Sequence, residues 1–148
     1  MSSTAAIDYE AVVIGAGVCG IYQIKKLIDL GYSATVLEAE GDLGGTWYMN
    51  RYPGARFDSE SHTYGYSFSR ELLEEWHWKE RFSSQPENLR YLNYVADKFD
   101  LRKHMQFNCK VDSAHFDEEL DLWRLQTADG RKITTRFLIM GVGLLAAP

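Results

Sequence analysis

The sequence predicts an α/β fold: a parallel sheet built through a crossover helix, followed by an antiparallel β-meander. Three observations carry that reading. The apolar run Tyr9–Ile14 breaks at Gly15 into a segment, about 18–30, whose apolar residues Ile21, Ile24, Leu27 and Ile28 recur at helical spacing. A second apolar run, about Ala34 to Leu37, completes a strand–helix–strand unit of about 30 residues, a crossover that runs right-handed between parallel strands. In the last third the period shortens to that of strands, in segments 105–116, 121–128 and 131–143, with Asp129-Gly130 as a tight turn between the last two.

Each element has a local reason. Gly31 supplies the left-handed stop after the first helix. The second strand ends at Glu38. Segment 70–82 reads as a helix with Glu75 and Lys79 spaced as an i,i+4 pair. Segment 83–99 reads as a stronger helix: Ser84 and Glu87 have capping-box spacing, Pro86 is tolerated in the first turn, and Leu89, Leu92, Ala96 and Phe99 form its stripe. The continuous apolar run "RFLIM" (136–140) predicts burial within a sheet.

Composition narrows the function classes. The chain has 148 residues, 45% hydrophobic, which suits one domain with one core. Residues 1–8 are expected to be a flexible tail and 9–148 the domain. A net charge of −5 argues against nucleic acid as a partner. No apolar run is long enough to span a membrane, and the first ten residues lack the basic and apolar regions of a secretory signal. The two cysteines, Cys19 and Cys109, form no CxxC and are expected to be reduced thiols of a cytoplasmic protein. His62, His77, His104 and His115 show no metal-ligand spacing, so no metal site is expected. The chain closes on an apolar "GLLAA" before Pro148, and we expect it to be the first part of something longer.

The chemistry begins at "GAGVCG", which places Gly15, Gly17 and Gly20 in the spacing GxGxxG. Alone, that string is a glycine-rich turn. Here it leaves a strand, opens an amphipathic helix, and is followed 18 residues after Gly20 by Glu38 at the end of the next strand. That is the context of a Rossmann-like dinucleotide site. Gly15 permits the turn, Gly17 lets the backbone approach a pyrophosphate, and Gly20 lets the helix press on the strand. The helix N-terminus faces the phosphates. Glu38 accepts from adenosine ribose hydroxyls and repels a 2′-phosphate, which leaves FAD or NAD.

After the acid comes a long aromatic loop, "GGTWYMNRYPGARFDSES" (44–61). Gly44-Gly45 allow close backbone approach, and Thr46 and Trp47 then stand beside a ligand. A flavin, flat, large and polar-edged, suits that setting. Trp76 and Trp78 read as packing residues.

The stretch "GGTWYMNRYPGARFDSESHTYGYSFS", and beyond it "WKERFSSQPENLRYLNYVADKFDL", resembles the FAD domain of Baeyer–Villiger monooxygenases of the cyclohexanone and phenylacetone monooxygenase type, with likeness from Tyr9 to Pro148. The resemblance implies the N-terminal part of a two-dinucleotide-binding-domain flavoprotein. It implies FAD held by Gly15, Gly17, Cys19 (by backbone), Gly20, Glu38, Thr46, Trp47, Asp58, Tyr64 and Val111. In that family NADPH reduces the flavin, O2 adds to give a C4a-peroxide, and a ketone becomes an ester or lactone. The segment Arg56, Phe57, Asp58 lies beside the nicotinamide end. The acid matching Asp58 stands near an arginine that steadies the flavin peroxide, so Asp58 is the candidate catalytic residue. Without the resemblance, Asp58 reads as a loop acid and Arg51 and Arg56 as members of surface ion pairs.

The chain departs from the family in two ways. Gly141-Val142-Gly143 stands where the family has Ala-Thr-Gly. The second glycine motif, which would bind NADPH, is absent from these 148 residues, as are the family's long fingerprint and the arginine partner of Asp58. The family's FAD domain is discontinuous, so a sheet strand is expected to be missing. Two other readings stand beside this one: a related flavin monooxygenase that oxidises nitrogen or sulfur, and a non-catalytic FAD-binding fragment. Which ketone is used and the oligomeric state are not written in these residues.

Overall fold

A computed structural model describes residues 6–144. β1 (Tyr9–Ile14) and β2 (Ala34–Leu37) pair in parallel, from Ala11 opposite Ala34 to Ile14 opposite Leu37. All four residues of β2 are buried, as a strand covered on both faces requires. Between them runs α1 (Val18–Asp29), with Ile21 and Ile24 fully buried. It ends in a Schellman turn: Gly31 at φ +83° donates to the Ile28 carbonyl and Tyr32 to the Leu27 carbonyl.

Four more strands complete one six-stranded sheet, β3 (Met105–Gln106), β4 (Val111–Asp117), β5 (Leu122–Thr127) and β6 (Lys132–Met140), in the order β3-β2-β1-β6-β5-β4. β6 is parallel to β1 and antiparallel to β5, so the parallel and meander halves meet in one strand. The expected strand over 105–116 is in fact two. Asn108 takes φ +53°, and the N–H groups of Asn108 and Cys109 donate to the carbonyls of Glu40 and Glu38. This bend sends β3 to the edge beside β2 and β4 to the opposite edge. The hairpin turn forms as expected, with Gly130 at φ +86° and its N–H on the Thr127 carbonyl.

The helical middle departs further from the sequence pattern. The aromatic loop carries two single turns, α2 (Thr46–Met49) and α3 (Ser61–Tyr64). α4 spans only Arg70–Glu75, not 70–82. Trp76 leaves the helix in an extended conformation, and the indoles of Trp76 and Trp78 pack against Tyr91 at 5.2 and 4.8 Å. Burying two indoles outweighs a few more turns of exposed helix. Glu75 therefore pairs with Lys98 at 2.8 Å rather than with Lys79.

α5 (Gln85–Lys98) starts where expected but without a capping box. The Glu87 carboxylate instead takes the Ser83 hydroxyl at 2.9 Å and the Lys79 N–H at 3.3 Å. Its deepest apolar residues are Tyr91, Leu92, Val95 and Ala96, while Leu89 and Phe99 are only partly buried. The main core lies between α1, α5 and the sheet, and a smaller one of Val12, Leu37, Cys109, Leu125 and Ile133 lies on the other face.

Two expectations at the ends change. Of the tail over 1–8, residues 1–5 lie outside the described residues, and Asp8 is pinned: its carboxylate accepts the Thr134 N–H at 2.8 Å. The run 136–140 is not buried. Phe137 is 50% and Met140 59% exposed, because pairing with β5 covers only Lys132 to Thr135. The last four residues, 145–148, lie outside the described residues. Among the described residues no helix is long and apolar enough to cross a membrane, and no three His, Cys, Asp or Glu side chains group to hold a metal.

Two tests follow from the packing. Leu92→Ala, at a fully buried position, lowers stability by about 2–5 kcal/mol, read as a lower urea midpoint at unchanged slope. The Arg124 side chain and the Leu120 N–H hold the Asp117 carboxyl below the usual carboxylate range. Its stabilisation is complete above the unfolded pKa and is lost as pH falls through the lowered folded one. Asp117→Asn therefore shows a shallower loss of stability in that acid window than the parent.

Candidate dinucleotide site

The glycine turn is assembled by close backbone approach. Gly15, at φ +98°, donates its N–H to the Leu37 carbonyl at 2.9 Å. A Cβ on Gly20 would lie 1.8 Å from the Gly15 carbonyl oxygen, so only glycine lets α1 sit this near β1. The loop of Gly44 and Gly45 closes over the turn: Gly44 donates to the Ala16 carbonyl at 2.9 Å, and a Cβ on Gly45 would stand 2.9 Å from the Gly17 Cα. No side chain caps α1. Its first N–H groups, those of Val18, Cys19 and Gly20, thus lack an intrahelical acceptor and suit an anion.

Glu38 is buried, 7% exposed, and bridges the site. One carboxylate oxygen accepts the Ala16 N–H at 2.6 Å and the other the Glu40 N–H at 2.9 Å. Each oxygen keeps a second lone pair for another donor. The Glu38 carbonyl takes the Cys109 N–H, which brings Val111, the first residue of β4, near this end of the sheet. The expected set Gly15, Gly17, Cys19, Gly20 and Glu38 is thus brought together, with Cys19 exposed.

The aromatic loop supplies a second group. The Trp47 indole N–H donates to Tyr64 Oη at 2.9 Å, Phe57 lies 3.9 Å from the Tyr64 ring, and Trp47 meets Phe57 edge-on at 5.0 Å. Burial, with Asp58 nearby, pushes the Tyr64 phenol above its ordinary pKa, against the Trp47 hydrogen bond. Thr46, in the same short turn, is exposed. Arg56 turns away to Glu80, at 3.0 Å, and the Phe82 carbonyl, while Arg51 bonds the Tyr48 carbonyl. Asp58 is exposed and has no hydrogen-bond or ion-pair partner among the described residues. Trp76 and Trp78 pack into the main core, away from the turn.

Three residues that shape the site were not singled out from sequence. Ala16 offers only backbone groups, Gln85 holds the Trp47 carbonyl from α5, and Gly141 lets β6 cross the turn, since a Cβ there would lie 3.0 Å from the Ile14 oxygen. Only Gly141 left a signal, as the departure from Ala-Thr-Gly. Among the described residues the site is built from backbone N–H groups and the Glu38 carboxylate, a cradle that fits an adenine dinucleotide diphosphate.

The family described as NAD(P)-binding Rossmann-like domain matches residues 13–76. The chain is 46% identical over 147 residues to a Baeyer–Villiger monooxygenase of Pseudooceanicola batsensis, covering 99% of this chain and 27% of that protein. It is 45% identical over 139 residues to a phenazine N-monooxygenase of Lysobacter antibioticus, covering 93% and 26%. Its fold superposes with a TM-score of 0.92 on the structure of an oxidised steroid monooxygenase bound to NADP, at 46% identity, covering 95% of this chain and 27% of that one. The chain therefore spans about a quarter of the length of the relatives it matches.

Gly20→Ala sets a Cβ against backbone, which no rotamer relieves. It is expected to destabilise the fold by about 1–3 kcal/mol or more, with a corresponding fall in melting temperature.

Proposed function

We infer that a chain matching the N-terminal part of Baeyer–Villiger monooxygenases along nearly all its own length is the FAD-binding part of such an enzyme. One observation carries the reading most: the uncapped α1 N-terminus, roofed by Gly44-Gly45 and tied to Glu38 through Ala16, forms a cradle for a diphosphate with a ribose acceptor beside it. In this reading Gly15, Gly17, Cys19 and Gly20 hold the diphosphate through backbone. Glu38 and Val111 address the adenosine half. Thr46, Trp47 and Tyr64 flank the flavin half, whose flat ring suits the Trp47, Phe57 and Tyr64 group.

Bound FAD supplies the redox chemistry by which NADPH and O2 convert a ketone to an ester or lactone. The chain's own residues bind, orient and exclude water. Asp58, a carboxylate at the rim of the aromatic group without a partner among the described residues, orients an arginine from outside the 148 residues. Arg56 and Phe57 adjoin the nicotinamide, which requires Arg56 to exchange Glu80 for the cofactor. A cytoplasmic, water-soluble enzyme, without nucleic acid or membrane as partner, goes with the free Cys19 and Cys109 thiols and the supply of NADPH. The match to an N-oxidising relative supports a second reading, oxidation at nitrogen, because the part matched here is common to both chemistries.

Titration with FAD tests the cradle. The chain is expected to take up one equivalent, with a red-shifted, structured flavin absorbance. A Cβ at Gly17 meets only the Gly45 backbone, its Cα at 3.5 Å and its N at 4.0 Å, both ordinary contacts, so Gly17→Ala keeps the fold but loses flavin affinity by about tenfold or more. A folded protein that stays colourless would refute the reading. In the full-length protein, cyclic ketones and aromatic amines separate the two chemistries by product. Asp58→Ala is expected to lower oxygenated product per NADPH consumed by about 10²-fold, with FAD content unchanged.

A further inference from the structure

A continuous file of aromatic rings leads from the cradle to the far side of the helical layer. Trp47, two residues after the Gly45 that roofs the glycine turn, meets Phe57 at 5.0 Å, and Phe57 meets Trp78 at 5.8 Å. Trp78 reaches Trp76 at 5.9 Å directly and also through Tyr91, at 4.8 and 5.2 Å. Trp76 then meets Tyr94 at 5.4 Å. Tryptophan and tyrosine, with cysteine, are the side chains most readily oxidised by one electron, and ring contacts this close favour transfer between them.

Two details separate this file from an ordinary aromatic core. The Trp76 indole nitrogen is buried with no hydrogen-bond partner among the described residues. A phenylalanine would fill much of that space without leaving a buried donor unpaired, so packing alone does not ask for tryptophan there. At the outer end, Tyr94 Oη donates to Glu75 Oε2 at 2.5 Å, and the Lys98 ammonium holds the same oxygen at 2.8 Å. A phenol becomes strongly acidic on losing an electron and needs a base already in contact. Tyr94 has one. Tyr91, fully buried, has its Oη bonded instead by the Tyr66 N–H, and among the described residues it makes no hydrogen bond to a carboxylate.

We propose that Trp47, Trp78, Trp76 and Tyr94 conduct an oxidising equivalent out of the cradle to the protein surface. One electron moves from Tyr94 through Trp76 and Trp78, across Phe57 to Trp47, and on to a one-electron oxidant in the cradle, such as an oxygen radical formed there or a light-excited flavin. The oxidant is reduced by one electron, the Tyr94 hydroxyl proton passes to Glu75, and a neutral tyrosyl radical remains. A small thiol or ascorbate-type reductant in solution returns one electron, and Glu75 hands the proton back to Tyr94. The file would thereby draw damage away from the redox site. The proposal rests on the flavin reading for its natural oxidant only.

The test needs no flavin. Cys19 is exposed beside the cradle and Cys109 is buried, so a thiol-reactive ruthenium polypyridyl attaches at Cys19. Flash-quench with hexaammineruthenium(III) makes the attached metal a one-electron oxidant, and transient absorption with freeze-quench electron paramagnetic resonance reads the radicals. The parent is expected to give a tyrosyl radical. That signal is lost in Tyr94→Phe and in Trp76→Phe, while Glu75→Gln, lacking the proton acceptor, leaves a tryptophan radical in its place. Circular dichroism matching the parent certifies each variant. If Trp76→Phe does not fold, Tyr94→Phe, which keeps its ring, decides alone. A tyrosyl signal that survives Tyr94→Phe, or no protein radical in the parent, overturns the proposal. Flavin titration stands apart: its failure would remove the proposed function and leave this result readable.

Discussion

The ligand-facing end of this molecule depends on how closely α1 approaches β1. With 1.8 Å between a would-be Gly20 Cβ and the Gly15 oxygen, the helix lies on the strand with nothing between, and its N-terminus is carried right up to the turn. The rest of the site follows from that distance. Gly17 is brought under Gly45, Ala16 offers its N–H to Glu38 and its carbonyl to Gly44, and Gly141 at the end of β6 passes over the turn with its N–H on the Ile14 carbonyl. An acidic chain with a net charge of −5 can present an anion site this way because the attraction comes from oriented N–H groups, not from lysines or arginines.

A second constraint places the aromatic group. The loop from Gly44 to Ser69 has little regular structure to hold it, and buried polar groups take over that task. Glu87 bonds the Ser83 hydroxyl and the Lys79 N–H. Ser61 accepts the Ser83 N–H and donates to the carbonyl oxygens of Glu80 and Arg81. Gln85 reaches the Trp47 carbonyl. Tyr66 donates its hydroxyl to the Val18 carbonyl at 2.6 Å and its N–H to Tyr91, so the loop is latched to both α1 and α5. Groups so buried must be satisfied together, which fixes one arrangement of the rings between them.

The parts of the fold legible in the sequence were those with local causes. The strand–helix–strand unit announced itself through apolar period, and its ends through Gly15, Gly31 and Glu38, within a residue of where they lie. The parts that misled were decided by distant partners. Segment 70–82 has helical spacing throughout, yet Tyr91, on another helix, offers Trp76 and Trp78 a better burial than continuing the helix does. Ser84 and Glu87 have capping-box spacing, yet Ser83 is nearer the carboxylate. For the site, glycines and Glu38 were readable because each does one thing at one place. Ala16 and Gln85 were not, because one contributes only backbone and the other acts on a main-chain carbonyl 38 residues away.

β6 carries the reasoning one step further. Its first half is the third strand of the meander, paired to β5 through Thr135, while from Thr135 to Met140 it runs parallel beside β1. A run as apolar as "RFLIM" is suited to burial from both faces. Yet Phe137 is half exposed, and together with Leu27, Leu30, Tyr32 and Trp123 it lines an open groove along that strand. Lone exposed apolar side chains are unremarkable on a folded surface, but here they adjoin backbone that has lost its β5 neighbour. The same strand delivers Gly141 to the glycine turn. One strand therefore joins the groove to the cradle.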